Sequence, residues 1–222
     1  MNLSFFSFLK YGCVANNAEP GCIWQDFIVF SLLSTANILY IFIRSSMTSG
    51  SIIEEGDFKA LSIEKILLFI ILIPMVEELA FRGFLFFLDK KYISLTFLSV
   101  LCILLSVIKT PSVKYSAIFL STIIFLPLLF SDGFRMYSLE IIGRYRIQLI
   151  YITSIAFGLA HLTNYSSFYV GNIPTIIIKI SYGLFFCYAA VKYNSIWFAW
   201  LFHAMSNAIP TLILYFFRMC IR

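Results

Sequence analysis

Between Ile63 and Leu88 runs an apolar stretch long enough to cross a bilayer, and three ionised side chains, Glu77, Glu78 and Arg82, interrupt it. A charge at the centre of a membrane helix costs roughly 2.5–3.5 kcal/mol by insertion scales. Groups kept there must pair, face a wet cavity or take part in chemistry. Glu78 and Arg82 stand i,i+4 with the acid nearer the N-terminus, the favourable order for an ion pair. On a helix Glu77 is rotated about 100° from Glu78, which leaves it beside that pair with no partner of its own.

The rest of the chain agrees with a membrane setting. Of 222 residues, 61% are hydrophobic and 12% charged, against about 25% charged in soluble domains. The expected fold is all-α, a polytopic transmembrane helical bundle of about seven spanning helices with an interior polar cavity. The spans are read at about 27–43, 63–88, 92–108, 115–130, 147–162, 173–191 and 196–217. Residues 1–26 are expected to form an N-terminal interfacial segment, with Phe5, Phe6 and Phe8 in the headgroups, and residues 27–222 the transmembrane domain. The patch LSFFSFL is too short to span and has neither a basic flank before it nor a cleavage site after it, so no cleaved signal peptide is expected.

Charge and cysteines narrow the classes further. A formal charge of +5 suits the basic flanks of membrane helices and not a nucleic-acid surface. Loop Lys and Arg divide evenly between the two faces, so orientation stays open, with the arginines from Arg135 to Arg146 leaning towards a cytoplasmic N-terminus. The expected location is an integral, multi-pass position in the cell (inner) membrane, with the lipid bilayer as one partner. Cys102 and Cys187 fall in apolar runs and read as packing residues, whereas Cys13 and Cys22 are candidates for a pair only on an oxidising side.

Both histidines of the chain lie in expected spans. His161 follows Phe157 at i,i+4, and His203 precedes Asn207 by the same spacing, each pair on one helical face. Counting depth at about 1.5 Å per residue places Glu77, His161, His203 and Asn207 all within a hydrocarbon core about 30 Å thick. Gly83, Gly158 and Ala160 are small enough to let these helices approach. Glu77 is then a candidate general base for water, and His161 can share that water or relay its proton. His203 and Asn207 are candidate donors to the anionic oxygen of a tetrahedral intermediate. No Ser-His-Asp set can be assembled around Ser154 or Ser206. Phe157 reads as packing; for Lys179 in the sixth span a functional role is one reading, and a side chain that snorkels or a helix displaced towards the interface is the preferred one.

Taken in order, Glu77-Glu78-x-x-x-Arg82, Phe157-x-x-x-His161 and His203-x-x-x-Asn207 resemble the motifs of the CPBP (Abi) intramembrane proteases. That family holds CAAX prenyl endopeptidases and bacteriocin-processing or immunity proteins. The likeness spans about residues 63–217. It implies an intramembrane endopeptidase, a glutamate-dependent enzyme acting on a membrane-associated peptide, prenylated or of bacteriocin type. It implies that Glu77 and His161 activate water, that His203 and Asn207 form the oxyanion site, and that Glu78 and Arg82 support them. The first two motifs are farther apart than is usual in that family, and residues of about 92–146 read as an inserted helix pair that leaves the second and fifth spans antiparallel.

Two other functions fit the same residues. One is a proton-coupled transporter, which also uses membrane carboxylates and histidines, although no inverted repeat is visible. The other is a non-catalytic immunity protein that binds a peptide in the cavity. No cofactor is expected. Two histidines and a glutamate form a conceivable Zn²⁺ set, but there is no HExxH motif and the ligands would come from three helices, so metal-free hydrolysis is preferred.

Overall fold

The computed structural model describes residues 4–11, 23–47, 63–164 and 170–221. The Cys13–Cys22 pair and the acidic loop with Glu54, Glu55 and Asp57 lie outside them. Among the described residues every regular element is helical, and the chain is an all-α polytopic bundle.

Helix α1 spans Ser4–Tyr11 and α2 spans Ile23–Met47. Helix α3 starts at Ile63–Leu67, widens into a π turn at Leu68–Leu72, and continues as Ile73–Arg82 before a 3-10 turn at Gly83–Phe86. Then follow α4 (Lys90–Val107), α5 (Pro111–Phe130), α6 (Asp132–Arg144), α7 (Arg146–Ala160), α8 (Ile173–Lys192) and α9 (Ile196–Ile221). The starts are legible as local chemistry. The Asp89 carboxylate accepts the Lys91 backbone N–H and Ser131 Oγ accepts that of Phe134, both N-cap bonds. Proline opens α5 and α8, where its missing N–H costs nothing. The Ser131 cap explains why the hydrophilic stretch after the fourth span is itself a helix, α6.

Among the described residues five helices are long and apolar enough to cross a membrane: Ile23–Ile43, Lys90–Val107, Pro111–Phe130, Val170–Lys192 and Ile196–Ile213. These, with the apolar composition, make the chain an integral membrane protein. The two remaining expected spans do not meet that measure. Helix α3 changes its winding partway, and α7, with 15 residues, reaches only about 22 Å. Both end where the polar residues gather.

Helix α8 is the centre of the bundle. Tyr182, Phe185, Phe186, Cys187, Tyr188, Ala189 and Ala190 are all buried there, packed against α2, α7 and α9. Two glycines let the helices close on it. A Cβ on Gly158 would sit 2.4 Å from Ile180 Cγ1, and one on Gly183 would press on Ser154 and on Arg82 Nη2 at 3.1 and 3.2 Å. A smaller cluster of Phe87, Ile93 and Leu128 joins α4, α5 and α6 to the end of α3, where Gly83 lies against Thr96.

Three expectations change. Phe8 is 1% exposed and meets Tyr188 edge-on at 5.5 Å, so α1 turns that ring into the core and not to the headgroups. Cys187 is buried as a packing residue, but Cys102 is exposed on a cavity wall. Helix α2 begins four residues earlier than the apolar run suggests, and the added turn carries buried Asp26.

Candidate active site

The motif on α3 splits as its helical spacing requires. Glu78 and Arg82 keep 1% and 0% of their side-chain surface exposed, whereas neighbouring Glu77 keeps 24%. Arg82 Nη1 donates to Glu78 Oε1 at 3.0 Å, and Nη2 donates to the Gly183 carbonyl at 3.3 Å. The guanidinium lies over the Phe157 ring, 4.4 Å from its centroid, with Phe186 at 5.6 Å. A desolvated cation–π contact of this kind contributes about 2 kcal/mol. Phe157, which the sequence presents as packing, is fully buried and supports the arginine.

His203 joins the pair from α9. Its Nδ1–H donates to Glu78 Oε1 at 2.8 Å, and its ring stacks on Phe186, 4.8 Å between centroids. Nε2 stands 3.4 Å from Glu77 Oε2. With the Nδ1 proton committed to Glu78, neutral imidazole offers only a lone pair at Nε2. One proton between Nε2 and Oε2 turns that contact into a hydrogen bond.

His161 is the first residue beyond α7. Its Nδ1 lies 2.8 Å from the Phe157 carbonyl. A carbonyl only accepts, so the proton sits on Nδ1 and Nε2 keeps its lone pair.

Asn207 stands one turn beyond His203. Its Nδ2 donates to the Phe69 carbonyl at 3.4 Å. The π turn explains the partner. In i→i+5 winding the donor for Phe69 would be residue 74, and Pro74 has no N–H. Trp200 Nε1 braces the same turn through the Ile71 carbonyl at 2.9 Å. Two side chains of α9 therefore hold the irregular winding just before Glu77.

Two cavities meet at Glu77 and His161. One, about 420 Å³, lies between α3, α4 and α7, with apolar walls that include Leu72, Val76, Ile103 and Ala160. The other, about 210 Å³, is lined by Phe69, Ile73, Thr175, Lys179 and Asn207 together with Glu77 and His161. The structure thus gathers Glu77, His161 and Asn207 on one hollow, with His203 buried behind Glu77 and Glu78–Arg82 behind His203. Lys179 does not snorkel. It turns into the hollow, as does Thr175 one turn before it. Thr175 does not stand out in the sequence; its one signal is the i,i+4 spacing from a mid-span lysine. Among the described residues no three His, Cys, Asp or Glu side chains are gathered closely enough to hold a metal ion.

A family model described as type II CAAX prenyl endopeptidase Rce1-like matches residues 113–209. This stretch, less than half of the chain, resembles that family. The match agrees with the CPBP resemblance, whose coarse class is that of CAAX-type membrane peptidases. The Rce1-like segment runs from α5 into α9 and contains Phe157, His161, His203 and Asn207. Glu77, Glu78 and Arg82 precede it and are tied to it by the contacts of His203 and Gly183. No curated protein and no solved structure matches the chain significantly.

Proposed function

We propose that the chain is an intramembrane endopeptidase that hydrolyses a peptide bond of a membrane-associated substrate, a prenylated tail or a bacteriocin-type peptide, with water activated by Glu77 and His161. The observation that carries this reading is the convergence of Glu77, His161 and Asn207, from three separate helices, on one cavity within an apolar bundle. The Rce1-like match supports the reaction class.

In this reading a water between Glu77 and His161 gives its proton to the glutamate or to His161 Nε2 as it attacks the carbonyl carbon. His203 Nε2, 3.4 Å from Glu77 Oε2, then accepts a hydrogen bond from the protonated carboxyl and steadies it. Glu78 and Arg82 hold the His203 ring in place. Asn207 turns its amide from the long bond to Phe69 towards the carbonyl oxygen. The apolar cavity against α4 takes up a hydrophobic part of the substrate.

The test is mass spectrometry of membrane peptides from cells carrying the wild type, Glu77→Gln or His161→Ala. Removing a general base typically lowers rates by about 10²–10⁴-fold, so product peptides should disappear with either variant while the protein still inserts and folds. Products that persist with Glu77→Gln sink the proposal. Substrate flux into liposomes that needs Glu77, with no cleavage, would replace it by the transporter reading. Exhaustive chelation should leave cleavage unchanged; activity lost on chelation and restored by Zn²⁺ would overturn the metal-free scheme.

A further inference from the structure

The oxyanion site implied by the motifs is one donor short in this geometry. Both ring nitrogens of His203 face carboxylates, Nδ1 that of Glu78 and Nε2 that of Glu77, which leaves Asn207 alone of the two on the hollow, to face the carbonyl oxygen. Across the 210 Å³ hollow, however, α8 presents two groups that the resemblance does not use. Lys179 has no hydrogen bond or salt bridge among the described residues; its ammonium lies 5.9 Å from the Tyr182 centroid. It lines the same hollow as the Glu77 carboxylate. Thr175 Oγ1 is buried with no hydrogen-bond partner among the described residues. Lys179 and Thr175 are i,i+4 and so share one face of the helix. An ammonium and an unpaired hydroxyl turned into a hollow that also holds the base are the donors an anionic oxygen requires.

We propose that Lys179 and Thr175 bind the anionic oxygen of the tetrahedral intermediate, opposite the water held by Glu77 and His161. The inference rests on the hydrolytic reading above. Water loses a proton to Glu77 as its oxygen bonds to the carbonyl carbon. The carbonyl π pair moves onto oxygen, where the Lys179 ammonium and the Thr175 hydroxyl receive it. On collapse the C=O bond re-forms, the C–N bond breaks, and the leaving nitrogen takes the proton from Glu77. Peptide and water have become an acid and an amine, with no other reactant.

A second source of anionic oxygen is a carboxylate at the substrate's C-terminus. The size of the hollow favours the first. A volume of 210 Å³ is a sphere about 7 Å across, and a carboxylate more than about two extended residues beyond the scissile bond would lie outside it.

The experiment begins with the product peptides that depend on Glu77 in cells, then measures them with Lys179→Met, Lys179→Arg and Thr175→Val. A synthetic copy of the cleaved sequence, as free acid and as C-terminal carboxamide, gives kcat and KM for the purified full chain. Loss of one oxyanion donor typically lowers kcat by about 10²–10³-fold. Lys179→Met should show that loss with KM within about threefold, equally on both substrates, and Lys179→Arg and Thr175→Val should lose less. Thermal melting of each variant, with Lys179→Gln as a second removal of charge, separates chemistry from misfolding. Unchanged kcat in Lys179→Met, where Glu77→Gln is inactive, overturns this inference and leaves the peptidase reading standing. A rise in KM confined to the free-acid substrate also overturns it, by assigning Lys179 to the terminal carboxylate. If no product depends on Glu77, both fall together.

Discussion

Among the described residues two carboxylates are buried, Asp26 and Glu78, and they differ in how completely they are satisfied. Asp26 on α2 is 2% exposed. It accepts from Tyr188 Oη at 2.6 Å, from Lys192 Nζ at 2.7 Å and from the Tyr193 hydroxyl. All three donors come from α8 or the residue just after it, and none of the residues involved lines either cavity. Glu78 on α3 is as deeply buried, yet its Oε1 takes both Arg82 and His203 while Oε2 has no hydrogen-bond partner among the described residues. Glu77 next to it opens on the 210 Å³ hollow. Low dielectric makes an unpaired buried polar group costly and a satisfied one rigid. The Asp26 group is therefore a brace, and the Glu77–Glu78 group gives up some satisfaction for a side chain that can still exchange partners.

The sharpest way to break that contrast is to remove one carboxylate from each group. Glu77→Gln should abolish cleavage, by about 10²–10⁴-fold, with a melting midpoint close to the wild type, because Glu77 carries little of the packing. Asp26→Ala should do the reverse. It leaves the Lys192 ammonium, 4% exposed, buried beside α2 without its counter-ion, and breaking a buried pair costs about 3–5 kcal/mol. Thermal melting and cleavage per folded molecule measure both arms. Cleavage lost in a fully folded Asp26→Ala protein would erase the distinction between brace and site.

The same contrast accounts for how much of the fold and of the site is legible in the amino-acid sequence. Glu77, Glu78, Arg82 and the two histidine pairs announce themselves because ionisable groups are costly inside apolar runs, and their i,i+4 spacings assign faces. Among the described residues α2, α3, α4, α5, α7, α8 and α9 follow the apolar runs, because backbone in lipid must satisfy its own hydrogen bonds. Asp26 gives no such signal, since a polar segment precedes it and the turn that buries it is fixed by tertiary partners 162 to 167 residues away. The π turn before Glu77 is equally hidden. Pro74 hints at irregular winding, but the donors that the Phe69 and Ile71 carbonyls find, Asn207 and Trp200, come from α9. Lys179 is visible as a charge, yet a snorkelling direction is the wrong expectation for it, because that direction depends on how α8 rotates against α3 and α7.

The smallest effect belongs to a third carboxylate, exposed where the others are buried. Asp132 Oδ1 is 3.0 Å from Lys90 Nζ and 3.0 Å from Arg135 Nη2, linking the N-terminus of α6 to that of α4. The Lys90 ammonium, with Arg135 beside it, holds the Asp132 carboxyl below its ordinary value of 3.8. A depressed folded value means stability that is present above the unfolded value and lost as pH falls through the folded one. Water and salt screen both partners at this position, and the Phe87, Ile93 and Leu128 cluster holds the same helices without them. Asp132→Asn should therefore shift the melting midpoint far less than Asp26→Ala at neutral pH, and by nothing measurable in high salt or well below pH 3.8. A drop comparable to that of Asp26→Ala would mean that α4 and α6 are joined by charge and not by their apolar seam, and burial would then no longer separate brace from ornament in this bundle.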